Sequence, residues 1–333
     1  MLFRSLYVPG GVGVQMTPRS LVWVDRKGHE KPINAPLHDY LTPRLSPDGT
    51  RLVLQLLDPN NLDLWIWDLK REQLRRLTFS PGADGLPLWS PDGRRIIFNS
   101  DRAQPGVRNL YGQAADGTGT VDRLTTNANP QFPSSITPDG TFVVGFQGSS
   151  RAAQVVLFPL ASPAGRAGPG LSPLANSSQA GSSGQTLFDG AWPEFSPDGR
   201  YLAYQSDESG RIEVYVRPFP QVNSGLWQIS MAGGTRPAWA RSGRELFYLD
   251  ESNTLTAVPV QTSGSTFSAG TPAKVFDTKY ATPFPPRNYD VSPDGQRFLM
   301  VKDHPAPAQT GTPVSMILVQ SWTEELKRLV PVR

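Results

Sequence analysis

One tetrapeptide, Ser-Pro-Asp-Gly, recurs along this chain and restricts its fold more than any other feature. It stands at Ser46-Pro47-Asp48-Gly49, Ser90-Pro91-Asp92-Gly93, Ser196-Pro197-Asp198-Gly199 and Ser292-Pro293-Asp294-Gly295, and with a leading threonine at Thr137-Pro138-Asp139-Gly140. A degenerate copy, Ala240-Arg241-Ser242-Gly243, keeps only the glycine and its surroundings. The six starts lie between about 44 and 59 residues apart, which marks a repeating structural unit. Proline presets the second position of a type I turn, and aspartate tolerates the third while accepting local backbone bonds. Glycine then supplies the left-handed residue that closes a bulged hairpin. An apolar stretch follows each copy: 51–57, 94–99, 141–146, 201–205, 245–249 and 297–301. Ahead of most copies stands proline, one variable residue and a large apolar residue: Pro43-Arg44-Leu45, Pro87-Leu88-Trp89, Pro193-Glu194-Phe195 and Pro237-Ala238-Trp239. Each copy therefore joins a short first strand to a strongly apolar second one.

Two further strands follow in each unit. Third strands are predicted over 62–69, 109–114, 154–160, 212–219, 255–260 and 315–320. Fourth strands are predicted over 73–77, 121–124, 185–188, 226–229 and 273–276. Four-stranded units repeated at this spacing are the blades of a β-propeller, so the expected fold is all-β, a six-bladed propeller of antiparallel blades. The last unit lacks an outer strand, while the front of the chain offers strands at 20–24 and 30–33. The strand 30–33 is expected to complete blade six and close the ring. A seven-bladed count, with 6–33 as a partial blade, stays open. The organisation reads as a leading segment 1–19, a propeller 20–321 and a tail 322–333 with a short helix begun by Thr323. A Ser-, Gly-, Pro- and Ala-rich insertion spans 161–184.

With 31 glycines and 33 prolines among 333 residues, turns are frequent enough for such a fold. The net charge of +3 is spread without a dense basic run, which argues against nucleic-acid binding. There is no cysteine, which excludes disulfides, thiolate metal ligands and a cysteine nucleophile. No apolar run approaches the roughly 20 residues of a membrane helix. The first 13 residues lack the apolar core and small-residue cleavage site of a leader peptide. A monomeric ring, with no membrane insertion by this chain, is expected.

The Pro-Asp-Gly turn, the Pro-x-Trp lead-in and the third-strand sequences Asn109-Leu110-Tyr111 and Asp63-Leu64-Trp65 resemble the TolB-type propeller repeat, a relative of WD repeats. The resemblance covers Pro43 to Gln320. Residues 20–28 and 322–327 are in addition similar to the C-terminal propeller region of large bacterial serine/threonine protein kinases. That likeness implies a sensor or scaffold module on the periplasmic or external side of a membrane-anchored kinase. The related prolyl-oligopeptidase class implies a second possibility, a propeller accompanying a hydrolase whose catalytic domain is elsewhere.

Catalytic motifs are missing: there is no kinase phosphate loop, no G-x-S-x-G elbow and no HExxH. The three histidines, His29, His38 and His304, are widely separated. Neither a metal site nor a cofactor is expected, and the chain reads as a non-catalytic binder of a protein, peptide or small ligand. Asp58, Asp101, Asp207, Asp250 and Asp303, which follow the second strands, read as turn caps. Trp65, Trp67, Trp89 and Trp239 read as core between blades. Candidate binding residues fall in the loops at the face opposite the repeated turns: Arg102, Arg108, Asp189, Trp192, Arg236, Tyr280, Phe284 and Arg287. Arg44 and Glu194, each next to a first-strand proline, are expected to border the central mouth.

Overall fold

The computed structural model describes residues 4–7, 17–58, 61–148, 153–160, 184–263, 266–280, 286–304 and 317–320. Six antiparallel sheets follow one another as blades, and strand order runs outward from the inner strand in each. Blade one holds Asp39–Tyr40 with Arg44–Leu45, then Arg51–Asp58, Asn61–Asp68 and Gln73–Arg76. Blade two holds Asp84–Trp89, Arg95–Ser100, Asn109–Ala114 and Asp122–Arg123. Blade three holds Gln131–Ile136, Phe142–Gln147, Gln154–Pro159 and Gln185–Asp189. Blade four holds Ala191–Phe195, Tyr201–Ser206, Glu213–Pro218 and Trp227–Gln228. Blade five holds Thr235–Trp239, Glu245–Leu249, Thr254–Ser263 and Ala273–Asp277, and Thr266–Ala269 folds back on its long third strand.

Blade six is assembled from both ends of the repeat region. Tyr289–Val291 and Arg297–Asp303 are followed outward by Arg19–Asp25 and Glu30–Pro32. The expectation of six blades closed by the N-terminal region therefore holds, with one correction. The third strand is not 315–320 but Arg19–Asp25, paired from Arg19↔Asp303 to Asp25↔Arg297. Ile317–Gln320 pairs instead with Arg4–Tyr7 in a separate two-stranded sheet. Burial explains why Arg19–Asp25 occupies this place. Leu21 packs toward blade one with Leu299 and Val301, while Val22 and Val24 pack toward blade five. Arg19 begins the strand buried, its guanidinium held by Asp39 and by Asp303 at 2.8 Å. A buried cation with two carboxylate partners tolerates removal from water, whereas an unpaired one would not.

Among the described residues the apolar core is six clusters, one in each gap between neighbouring blades. Trp67, Trp89 and Trp239 are buried in these gaps and Trp65 is half-buried, as the repeat implies. No described helix is long and apolar enough to cross a membrane. All but the last residue of the insertion 161–184, and the tail 322–333 in which a short helix is expected, lie outside the described residues.

The repeated turn has one construction. Each glycine N–H donates to the carbonyl of the leading Ser, Thr or Ala at 2.8–2.9 Å, with glycine φ between +67° and +73°. The serine hydroxyl meets the aspartate carboxylate at 2.5–2.6 Å in the four Ser-Pro-Asp-Gly copies. The proline also reaches the next blade. A Cβ placed on Gly93 would meet Pro47 at 3.6 Å, on Gly140 Pro91 at 3.7 Å, on Gly199 Pro138 at 3.1 Å, on Gly243 Pro197 at 3.9 Å and on Gly49 Pro293 at 2.9 Å. The turns thus interlock proline on glycine around the ring. The sixth joint is different, because Arg241 stands where proline would meet Gly295.

Candidate functional site: the central channel and its two mouths

The residue two places before the turn, which is the variable residue wherever the Pro-x-apolar lead-in is present, faces the channel in five blades. Arg44, Leu88, Ser135, Glu194 and Asp290 occupy this position in five inner strands and line a cavity of about 350 Å³. The cavity opens on the turn face, where the prolines of four turns and Arg241 form part of its wall. The apolar residue that follows turns outward and ties blades together. Trp89 Nε1–H donates to the Arg44 carbonyl at 3.0 Å, and Trp239 Nε1–H donates to the Glu194 carbonyl at 3.1 Å.

Four charges meet inside. Arg287 lies 3.3 Å from Glu194 and 3.5 Å from Asp290. Asp290 accepts the Leu45 N–H at 2.7 Å, which links blade six to blade one. Arg44 donates to the Pro43 and Arg287 carbonyls, both at 2.8 Å. Burial raises the Glu194 carboxyl above its ordinary value, against the pull of Arg287 and Arg44. Burial, and then repulsion from Arg287, brings the Arg44 guanidinium down to about 10, so it stays charged at neutral pH. Burial works against the charge on Arg287, but Glu194 and Asp290 raise it overall. Of the residues expected from the sequence, Arg44, Glu194 and Arg287 are the three that come together.

The other mouth lies at the linker face, where the chain passes from blade to blade. Here the residue before the lead-in proline is in the left-handed region in three blades: Leu86 at φ +50°, Trp192 at +53° and Arg236 at +57°. Irregular register against the second strand accompanies all three. Two amide side chains support the bend, because Gln55 Oε1 accepts the Leu86 N–H at 3.0 Å and Gln205 Oε1 accepts the Arg236 N–H at 3.1 Å. Such backbone is costly for non-glycine residues and clusters at functional sites. Trp192 and Arg236, expected in loops, are instead strand residues turned by this bulge. Trp192 packs edge-on against Phe146 with centroids 4.6 Å apart, and Phe146 stacks on Phe132 at 4.9 Å. Phe132 and Trp192 remain half-buried, leaving an aromatic rim. The sequence reading passed over Phe132, which precedes Pro133; in blade three Pro133 takes the place that Leu86, Trp192 and Arg236 hold in the other three blades.

The remaining expected residues stand apart from both clusters. Arg102 donates twice to Asp84 at 2.9 Å and lies over the Phe98 and Tyr111 rings, an internal tie. Tyr280 is buried and donates to Glu30 at 3.0 Å, binding blade five to blade six. Asp189 is exposed at the end of an outermost strand, accepting from Gln154 at 3.4 Å. Arg108 is half-buried in a blade-two loop. Phe284 lies outside the described residues. His29 pairs with Asp25, His38 stacks on Trp65 and His304 meets Ser20, so no histidine lines the channel cavity. Asp250 accepts the Ser252 and Thr254 N–H groups of its own turn, as a cap does, whereas Asp101 accepts the Gly106 N–H of its own turn at 3.3 Å and the Ala83 N–H of the preceding linker at 2.8 Å. Among the described residues no group of three His, Asp or Glu is placed to hold a metal ion.

Residues 26–167, rather under half of the chain, match the family model of the TolB β-propeller domain. Within that stretch the repeats are of the TolB type. A stretch of 80 residues is 32% identical to the Tol-Pal system protein TolB of Wolinella succinogenes, covering 24% of this chain and 18% of that protein. Another of 100 residues is 32% identical to TolB of Helicobacter hepaticus, covering 30% of this chain and 23% of that one. These matches span less than a quarter of either TolB relative. Among solved structures, one from Agrobacterium tumefaciens described as a TolB candidate superposes with TM-score 0.62 over 88% of this chain and 100% of that chain, at 16% identity. Oligogalacturonate lyase of Vibrio parahaemolyticus superposes with TM-score 0.51 over 96% of this chain and 82% of its own, at 11% identity. Likeness at these identities is of fold, and TolB-type propellers share that fold with enzymes.

Proposed function

We propose that this chain is a non-catalytic TolB-type interaction module that takes a partner polypeptide at the linker-face mouth. The observation that supports the reading is the half-buried aromatic pair Phe132 and Trp192, both packed on the buried Phe146, with Trp192 and, on the next inner strand, Arg236 set by left-handed backbone. Half-buried aromatics and arginines on rigid supports are the groups that dominate protein interfaces. The channel charges favour binding over catalysis, since Glu194 and Asp290 are both engaged by Arg287. The narrower reading is the sensor or scaffold half of a membrane-anchored serine/threonine kinase. The likeness of residues 20–28 and 322–327 to such proteins supports it, and 20–25 lies in the strand that closes blade six.

A photo-crosslinking amino acid in place of Trp192 tests the reading in cells of the source organism. The same probe replaces Thr186, exposed on an outermost strand, as the control. One polypeptide should be trapped from position 192, be absent from position 186, and be competed by excess unmodified protein. Equal labelling from both positions removes the assignment. Turnover of ester, lactone or peptide substrates by the purified chain would replace it with an enzymatic one.

A further inference from the structure

The turn-face mouth presents a different chemistry. Its charged lining is three arginines, Arg44, Arg241 and Arg287, against two carboxylates, Glu194 and Asp290. Arg287 is engaged by both acids. Arg44 and Arg241 donate only to main-chain carbonyls. Arg241 crosses from the turn of blade five to blade one, where its guanidinium meets the carbonyls of Ser46, at 2.8 Å, and Pro47. Five aspartates of the repeated turns stand around this face but do not line the cavity; each is occupied by amide or hydroxyl groups of its own turn. Two further polar groups have no hydrogen-bond partner in the protein, Arg44 Nε and the Ser134 hydroxyl, and Ser134 is only 7% exposed. Both residues line the cavity. Leaving such a group unpaired typically costs about 1–3 kcal/mol, so it calls for a reason.

Arg241 supplies the link to function. In the other five turns this position is proline and makes the interlock with the next glycine. Blade five gives up that joint and places a cation over the channel instead. A departure from a joint that the rest of the ring keeps is where function is expected.

We propose that the turn-face mouth binds a small molecule carrying one carboxylate, with Arg241 and Arg44 answering its charge and Ser134 available to its polar body. One negative charge balances the lining. A cavity of about 350 Å³ lies within the range of roughly 300–1,000 Å³ found for small-molecule sites. The site is independent of the partner reading, because the two mouths are at opposite ends of the channel.

Calorimetric titration of the full chain tests this, with sodium acetate, lactate, gluconate and benzoate as probes. Succinate, inorganic phosphate and chloride at matched ionic strength are the comparisons. At least one monocarboxylate should bind saturably, one per chain, and more tightly than phosphate. Arg241→Pro and Arg44→Leu should each weaken it by roughly tenfold or more, the scale of a lost charge-assisted contact. Both variants use residues that the repeat already carries at these positions, and the Arg241 N–H makes no backbone hydrogen bond, so each should still melt cooperatively as a folded ring, lowered only by the lost contacts to the Ser46, Pro47 and Arg287 carbonyls. A tetrapeptide with a free C-terminus, beside its amide, identifies the source of the carboxylate: binding by the free acid alone supports the site and assigns it to chain ends. Equal binding by acid and amide overturns the proposal. So does binding of phosphate at least as tightly as any monocarboxylate, titration unaffected by both arginine variants, or no saturable binding by any carboxylate.

Discussion

Two neighbouring joints of the turn ring show what the repeat is for. Between blades six and one, Pro293 sits so close to Gly49 that an added Cβ would come within 2.9 Å of it. Between blades five and six no proline reaches Gly295; the nearest group to a Cβ there is Arg26 Nη2, at 3.9 Å. The first joint stitches the end of the repeats to their beginning, where the ring must close. At the second, Arg26 takes over the tie, donating to the Gly295 carbonyl at 3.0 Å and engaging Glu245. The same four-residue turn is thus a structural clamp where its proline is kept. Where arginine replaces it, the clamp is transferred to another side chain and the turn is free to serve the channel.

The largest effect on this contrast should come from cutting the stitching. Deleting residues 1–34 removes Arg19–Asp25 and Glu30–Pro32, two of the four strands in blade six. Arg297–Asp303 then becomes an exposed apolar edge, and such edges pair with other molecules. The deleted protein should run as soluble aggregate on size exclusion and lose its cooperative melt. A monomer with the parent's melting temperature would mean that closure does not depend on these strands.

A finer comparison separates the two joints themselves. Gly49 and Gly295 have nearly the same backbone, φ +73° and +67°, so alanine meets the same left-handed strain at either, about 1–2 kcal/mol. Only at Gly49 must the new methyl also displace Pro293. Gly49→Ala should therefore be less stable than Gly295→Ala by roughly another 1 kcal/mol, the low end of overpacking costs. Urea denaturation of both variants measures the difference. Equal losses would show that the proline-on-glycine contact is slack and that the turns act singly.

These joints also mark how far the amino-acid sequence could be read. Proline, aspartate and glycine act within four residues, so the turns and their spacing were legible from local chemistry, whereas the choice of six blades over seven waited on where the N-terminal strands pair. The channel position was legible in part, since the residue after a lead-in proline and before a large apolar residue alternates to the other side of its strand; Arg44 and Glu194 follow such prolines and do line the channel. Partner choice between strands was not. Ser20–Val24 and 315–320 are both short apolar runs, and what places the first in blade six is burial on two faces and the pairing of Arg19 with Asp39 and Asp303. The left-handed bends at Leu86 and Arg236 are supported by glutamines 31 residues earlier in the chain. Arg102 and Tyr280 looked available in loops, but their partners, Asp84 and Glu30, are visible only in three dimensions. Arg241 read as wear in the repeat; its reach to blade one spans about 195 residues of chain.

The smallest expected effect comes from rebuilding the blade-five turn without touching Arg241. In the turns at 46–49, 90–93 and 292–295 the serine hydroxyl, as the main cause, holds the Asp48, Asp92 and Asp294 carboxyls below their ordinary value. Blade five has Ala240 and Ser242 at these two positions and lacks that pair. Ala240 is buried, as Ser46 and Ser292 are at the same place, so a hydroxyl fits if it has partners. The N–H of Glu245 corresponds to that of Arg51, which donates to Ser46 Oγ at 2.9 Å, and a carboxylate at 242 completes the set. The double variant Ala240→Ser with Ser242→Asp should gain about 0.5 kcal/mol at neutral pH, the lower range for a net hydrogen bond. The sign with pH follows from the lowered carboxyl. Its contribution is complete above the unfolded aspartate value of about 3.9 and is lost as pH falls through the lower folded value. Melting curves of parent and double variant should therefore separate at pH 7 and converge near pH 2. A gain that persists undiminished in acid would assign the stabilisation to the serine alone, and the aspartate of the repeat would lose its role as the group that locks the turn.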